Sequence, residues 1–237
     1  MASATTSRRI AVTTAEVVAR PTPMALRSRL IYQTAFAQGR SVLEIDRTGA
    51  ASAEVRRACP ALAELAGGIA DPMVRNMGTL GGSIANADPA ACYPAAVLGL
   101  GATVQTNRRT IAGDAFFTGL FETALEPGEL ITAVSFPAVA KAAYVKHKQP
   151  ASRFALVGVF VSQGAGGVRV AVTGAKGSVF RVKAIEDALS ASFTPEAARA
   201  VKVSADGVNS DLHASAAYRA AMISVMAARA VEAANAR

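Results

Sequence analysis

The sequence predicts an α+β fold in two parts, on three observations. Helical spacing of apolar residues dominates Ala51–Ala66. Three strand-like runs then follow one another between Ala143 and Thr173, and helix-forming segments fill the chain from Lys183 onward. Strands grouped with strands and helices with helices favour α+β over alternating βαβ units. With 237 residues, 51% of them hydrophobic, the chain can bury a sizeable core as one large domain or two small ones.

Each element has a local reason. The start, MASATTSRRIAVTTAEVVAR, has Ser, Thr and Arg but no acid before Glu16. Targeting presequences share that composition, and so do untargeted, unstructured starts; the apolar core of a secretory signal is missing. Pro21–Gly49 keeps neither period for long, beyond a short helical pattern at Ser28–Ala37. Ala51–Ala66 reads as helix, interrupted or restarted at Pro60, with Leu62, Leu65 and Ile69 as a core stripe and Gly67-Gly68 as its stop. Asp71-Pro72 favours an extended or turn conformation. Ala95–Val104 suggests a helix turning into a strand, Arg108–Ile111 starts another short element, and Phe116-Phe117 suits the core. Glu126-Pro127-Gly128-Glu129 is turn chemistry leading into a strand at Leu130–Phe136, ended by Pro137. A boundary at Ala138–Lys141 precedes strands at Ala143–His147, Ala155–Ser162 and Val168–Thr173, the last two joined by a hairpin at Gly164–Gly167. Lys183–Leu189, Pro195–Lys202 and Ala214–Ala236 read as helices. In the last, Tyr218, Met222, Val225 and Met226 line one face, and Arg219 and Arg229 are expected to face water.

Composition narrows the function classes. No apolar run is long enough to cross a bilayer. Cys59 and Cys92 offer neither a disulfide framework nor metal-ligand spacing, as expected of reduced thiols in a cytoplasmic protein. The net charge of +8 comes from 25 basic and 17 acidic residues. The basic residues are scattered, aromatics are 5% and Trp is absent, so stacking platforms for nucleic acid are scarce. A solvated surface, an acidic partner protein or an anionic cofactor accounts for the charge. No Ser/His/Asp set, Cys/His cluster or carboxylate pair stands out; His147 and His213 read as structural.

The chemistry concentrates in Val74–Ala96, VRNMGTLGGSIANADPAACYPAA. Gly81 and Gly82, flanked by Thr79 and Ser83, present backbone N–H groups and hydroxyls without bulk, the makings of an anion cradle. Asn86 adds an amide, and Asp88 an acceptor for a sugar or polyol hydroxyl. A glycine turn between a strand and a helix, with Asp88 as an N-cap, explains the same residues equally well.

Beyond spacing, RNMGTLGGSIANADPAACYPAA resembles the second flavin motif of the FAD-binding medium subunits of molybdenum hydroxylases, the carbon monoxide dehydrogenase and xanthine dehydrogenase-like enzymes. CPALAELAGGIADPMVRN, EPGELITAVSFP, YVKHKQPASRFALVGVFV and DLHASAAYRAAMISVMAARAVE are also similar to that family, in the same order, so the likeness runs from Glu54 to the end. It implies an atypical segment at 1–53, part of a PCMH-type FAD-binding domain at 54–139 and a small C-terminal domain of antiparallel sheet and helices at 140–237. It places Thr79, Gly81, Gly82 and Ser83 around the FAD diphosphate and Asp88 at the flavin's polar linker, with Leu80 and Asn86 also among the cofactor-binding residues. Ile131 falls beside the isoalloxazine ring and Lys146 near the flavin; an ordinary half-buried strand residue and a solvated lysine are the plain alternatives for these two.

The resemblance further implies an oxidoreductase subunit in a hetero-oligomer with an iron–sulfur small subunit and a molybdopterin large subunit. Those partners would hold the 2Fe-2S clusters and the molybdenum cofactor. Electrons would pass from the clusters to FAD and on to an acceptor such as a quinone, NAD or oxygen. One departure stands against it. The family's earlier A-G-G-[TQH]-S motif, the other half of the diphosphate cradle, is not found; the N-terminus reads as atypical or truncated. Charge-assisted hydrogen bonds contribute about 1.5–3 kcal/mol each. Losing two would weaken flavin binding roughly a hundredfold or more. The alternative is therefore a family member that no longer binds flavin and serves as a docking module.

Overall fold

In the computed structural model the described residues are 9–13 and 53–237, with side chains from Val55 onward. The expectations for Ser28–Ala37 and for most of the segment before Glu54 lie outside them. Strand β1 (Arg9–Thr13) is an addition to the sequence reading; it pairs antiparallel with β6 (Ile131–Pro137), Ala11 opposite Ser135.

Helices α1 (Ala53–Ala58) and α2 (Pro60–Gly67) meet at Cys59, because Pro60 suits a first helical turn and not an interior. Asp71 then does more than turn the chain. Its Oδ1 accepts from Met73 N at 2.8 Å and Val74 N at 3.0 Å and starts α3 (Pro72–Met77). The glycine pair likewise forms no open loop. It is the first turn of α4 (Leu80–Asn86), capped by Thr79. Next, α5 (Tyr93–Leu100) is buried on every side, which its all-apolar sequence requires.

Strands β2 (Thr103–Thr106) and β3 (Thr110–Ala112) complete a four-stranded antiparallel sheet of order β1-β6-β2-β3, with Val104 opposite Val134. A 3-10 turn (Gly113–Ala115) and a small hairpin, β4 (Phe117–Gly119) with β5 (Glu122–Thr123), follow. Phe116 is fully buried and meets Phe117 edge to face.

The second sheet has the order β10-β9-β8-β7: β7 (Lys141–Lys148), β8 (Ala155–Gly164), β9 (Gly167–Thr173) and β10 (Phe180–Arg181). Gly164 opposite Gly167 closes the expected hairpin. Helices α6 (Lys183–Ala191), α7 (Pro195–Ala200) and α8 (Ala216–Asn235) follow. Val157, Val159 and Val161 of β8 pack with Ile185, Leu189, Ile223 and Met226, while Phe160 points the other way into the core of α2, α5 and Phe136. With both faces covered, β8 reads as a continuous apolar run.

Helix α5 joins the two cores. Ser162 Oγ donates to Gly99 O at 2.6 Å and Arg169 Nε to Leu98 O at 2.7 Å. A Cβ on Gly99 would lie 2.6 Å from Phe160 Cδ1, so only glycine lets α5 come this close to β8. One orientation departs from expectation: Arg219 is 2% exposed, buried on the sheet side of α8, whereas Tyr218 is 45% exposed. Arg229 does face solvent.

Candidate flavin-binding site

The candidate site begins at the cap of α4. Thr79 is extended, and its Oγ1 accepts from Gly82 N at 2.9 Å; its carbonyl accepts from Ser83 N at the same distance. Those two amides are therefore used locally, which corrects the expectation that the amides around both glycines are presented to an anion. Among the described residues Gly81 N has no acceptor, and the Thr79 hydroxyl keeps its proton free to donate. Leu80 turns its side chain into the core and offers the site its backbone alone. Gly81 and Ser83 are half-buried and Asn86 is exposed.

The chain leaves α4 through Ala87, which is left-handed at φ 49°. Asp88 does not cap α5; Cys92 occupies that position. Asp88 Oδ1 instead accepts from Ala90 N at 2.8 Å, a local turn that leaves Oδ2 free for a ligand hydroxyl. The segment hangs from the second sheet by its carbonyls: Gly174 N donates to Pro89 O at 2.7 Å and Ala155 N to Ala90 O at 3.4 Å.

Lys146 lies on β7. Its Nζ donates to Arg153 O at 2.8 Å and reaches Cys92 Sγ at 3.5 Å, so it is tied to the end of the Asp88–Cys92 segment and is not a free surface lysine. No hydrogen bond joins it to Asp88. Arg153 is left-handed at φ 64°, and Lys146 holds its carbonyl. Beside it Tyr144 is half-buried and stacked on Phe160; desolvation and the neighbouring Cys92 push its hydroxyl well above the ordinary phenol value.

Ile131 sits at the start of β6, half-buried against the first core, and α4 packs on this strand. What fixes that strand entry is Glu129, a residue read from sequence as turn chemistry alone. Its carboxylate takes Arg109 in a fork, Nε at 3.0 Å and Nη2 at 3.1 Å, with Thr106 Oγ1 at 2.7 Å and Glu126 N at 2.8 Å. Arg109 first, and the Glu126 amide and Thr106 hydroxyl with it, lower its pKa to about 2 against the cost of burial. The signal was present: a Glu two residues before a strand, and an Arg-Arg pair in the turn between β2 and β3.

The donor set fits a flavin dinucleotide in its chemistry. Hydroxyls at Thr79 and Ser83 and an unspent amide at Gly81 suit phosphate oxygens, Asp88 suits a ribityl or ribose hydroxyl, and Lys146 supplies a cation. Among the described residues there is no cluster of His, Cys, Asp and Glu able to hold a metal ion.

Comparison with known proteins agrees. Residues 46–139 match the family described as the FAD binding domain in molybdopterin dehydrogenase, so the likeness begins before Glu54. The chain is 34% identical over 200 residues to the nicotine 6-hydroxylase medium subunit of Paenarthrobacter nicotinovorans, covering 78% of this chain and 71% of that protein. It is 35% identical over 199 residues to the carbon monoxide dehydrogenase medium chain of Hydrogenophaga pseudoflava, covering 77% and 69%. In three dimensions it resembles carbon monoxide dehydrogenase from Hydrogenophaga pseudoflava lacking the Mo-pyranopterin moiety, with a TM-score of 0.72 at 35% identity over 81% of this chain and 72% of that one. Reconstituted CO dehydrogenase from Oligotropha carboxidovorans gives 0.70 at 29% identity, covering 81% and 73%. The chain belongs to the FAD-binding medium subunits of the molybdenum hydroxylases, oxidoreductase components with this α+β fold.

Proposed function

We propose that this chain carries FAD as the electron-transfer subunit of a cytoplasmic molybdenum hydroxylase complex. It would receive electrons from the 2Fe-2S clusters of a small subunit and deliver them to an external acceptor. A molybdopterin large subunit would hold the molybdenum cofactor and select the substrate. The observation that carries the reading is the Thr79-capped turn followed by Asp88, whose segment is fixed to the second sheet through Pro89 and Ala90. The proposed division of labour follows the chain. Residues 54–139 present Thr79, Gly81, Ser83, Asn86 and Asp88 to the diphosphate and linker, with Gly82 closing the turn through its bond to Thr79 and Ile131 beside the ring. Residues 140–237 contribute Lys146.

Bound flavin supplies the redox chemistry. The residues bind and orient it. The Thr79 and Ser83 hydroxyls and Gly81 N donate to anionic oxygens, and Asp88 accepts from a polyol hydroxyl. Lys146 is held at Arg153 O, which fixes where its charge stands. The half-buried Ile131 gives the ring an apolar support.

Titration of the purified full chain with FAD, followed by quenching of flavin fluorescence, tests this. Uptake of one flavin per chain is expected, and Asp88→Asn, which converts an acceptor oxygen into a donor, weakens it about tenfold or more. A colourless protein that takes up no FAD yet pairs with the iron–sulfur subunit would establish the docking-module alternative.

A further inference from the structure

We infer that Arg219, on the C-terminal helix and far in sequence from the flavin segment, is a positioning residue for Asp88. The inference rests on the proposed function, since Asp88 is taken there as a flavin contact. Arg219 is the charge that the sequence pattern sends to solvent and the fold sends inside. Its Nη1 donates to Leu156 O at 2.7 Å and to Gly174 O at 2.8 Å; its Nη2 donates to Asp211 Oδ2 at 2.7 Å. Among the described residues its buried Nε has no partner.

Both carbonyls belong to the strand ends that carry the flavin segment. Gly174 uses its carbonyl for Arg219 and its N–H for Pro89 O, and Ala155, adjacent to Leu156, donates its N–H to Ala90 O. Arg219 thus clamps the ends of β8 and β9 together, and the two amides hung from that clamp hold Pro89 and Ala90. Ala90 N in turn orients the Asp88 carboxylate. The guanidinium is itself held: Asp211 takes His213 N at 2.9 Å and Ala214 N at 3.1 Å through Oδ1, leaving Oδ2 for Arg219. A planar fork with several donors spans two carbonyls and a carboxylate at once; a lysine ammonium on a flexible stem does not. A residue that only filled the core would not require that geometry; here an apolar replacement would leave two carbonyls and a carboxylate without their donor.

The test uses the full chain in three forms. Arg219→Lys keeps the charge and loses the fork. Asp211→Asn keeps the guanidinium and loosens its anchor. Met226→Ala, in the same helix and fully buried, removes packing without touching the clamp. Amide hydrogen exchange at Ala90, Ala155 and Gly174 and the FAD dissociation constant are read on each, alongside the melting temperature. Arg219→Lys is expected to raise exchange at those three amides and weaken FAD about tenfold, and Asp211→Asn about threefold. Met226→Ala, although it lowers the melting temperature at least as much, leaves both readouts within about twofold. Affinity that follows the melting temperature across all three variants overturns the inference, as does unchanged exchange at the three amides in the two clamp variants. Wild-type protein that takes up no FAD overturns the flavin reading on which the inference rests, and the exchange measurement still decides whether Arg219 orders the Asp88 segment.

Discussion

The stretch from Asp71 to Cys92 and the sheet from Lys141 to Thr173 are built on different principles. In the first, each short helix depends on one capping side chain, Asp71 for α3 and Thr79 for α4, and α3 buries no residue. In the second, the strands share long antiparallel ladders and β8 is covered on both faces. Helices of six or seven residues do not persist without tertiary support. The sheet therefore supplies the rigidity, and the capped segment supplies the ligand-facing groups while hanging from the sheet through Pro89 and Ala90.

Gly174, where the two regions join, is the place to break this comparison. It is left-handed at φ 81°, and a Cβ there would lie 2.2 Å from Ala155 O and 2.7 Å from Leu156 O. Gly174→Ala is expected to cost about 3 kcal/mol or more, read by urea denaturation. A cost below about 1 kcal/mol would mean the junction is not tightly held.

Glu129 gives an intermediate effect with a pH signature. Its folded pKa of about 2 is below the usual value near 4.3. Its contribution is therefore fully present above about pH 4.5 and is lost as pH falls toward 2. Glu129→Gln lowers the melting temperature at pH 7 and flattens the decline between about pH 4.5 and 2. A decline as steep as in the wild type would show that Arg109 does not hold this carboxylate.

Thr79 sharpens the comparison at its smallest scale. Thr79→Ala removes a single cap and is expected to cost about 1 kcal/mol in the same urea experiment, with Thr79→Ser restoring most of it. An unchanged midpoint would show that α4 does not depend on its cap.

These differences also explain what was legible in the sequence. The strands of the second sheet were readable because they are short apolar, β-branched runs bounded by turn residues, with the Gly164–Gly167 hairpin between two of them. The helices α1, α2, α6 and α8 were readable because apolar residues recur at helical spacing or Pro and Gly mark their ends. The residues of the candidate site were found through the motif, yet their conformation was not. Gly81-Gly82 suggests a loop by propensity, and only the Thr79 cap together with packing of α4 on β6 makes it a helical turn. Arg219 could not be read from pattern at all. Its burial depends on two carbonyls from strands distant in the chain and on the carboxylate of Asp211, just ahead of its own helix.

Hydrogen exchange on the full chain with and without FAD tests the central claim, that flavin is held by the capped turn and the suspended Asp88 segment. The account predicts slowed exchange at residues 79–83 and 88–91, with the interior of β8 unchanged. Flavin that binds with no slowing at either segment, or with slowing confined elsewhere, would contradict it.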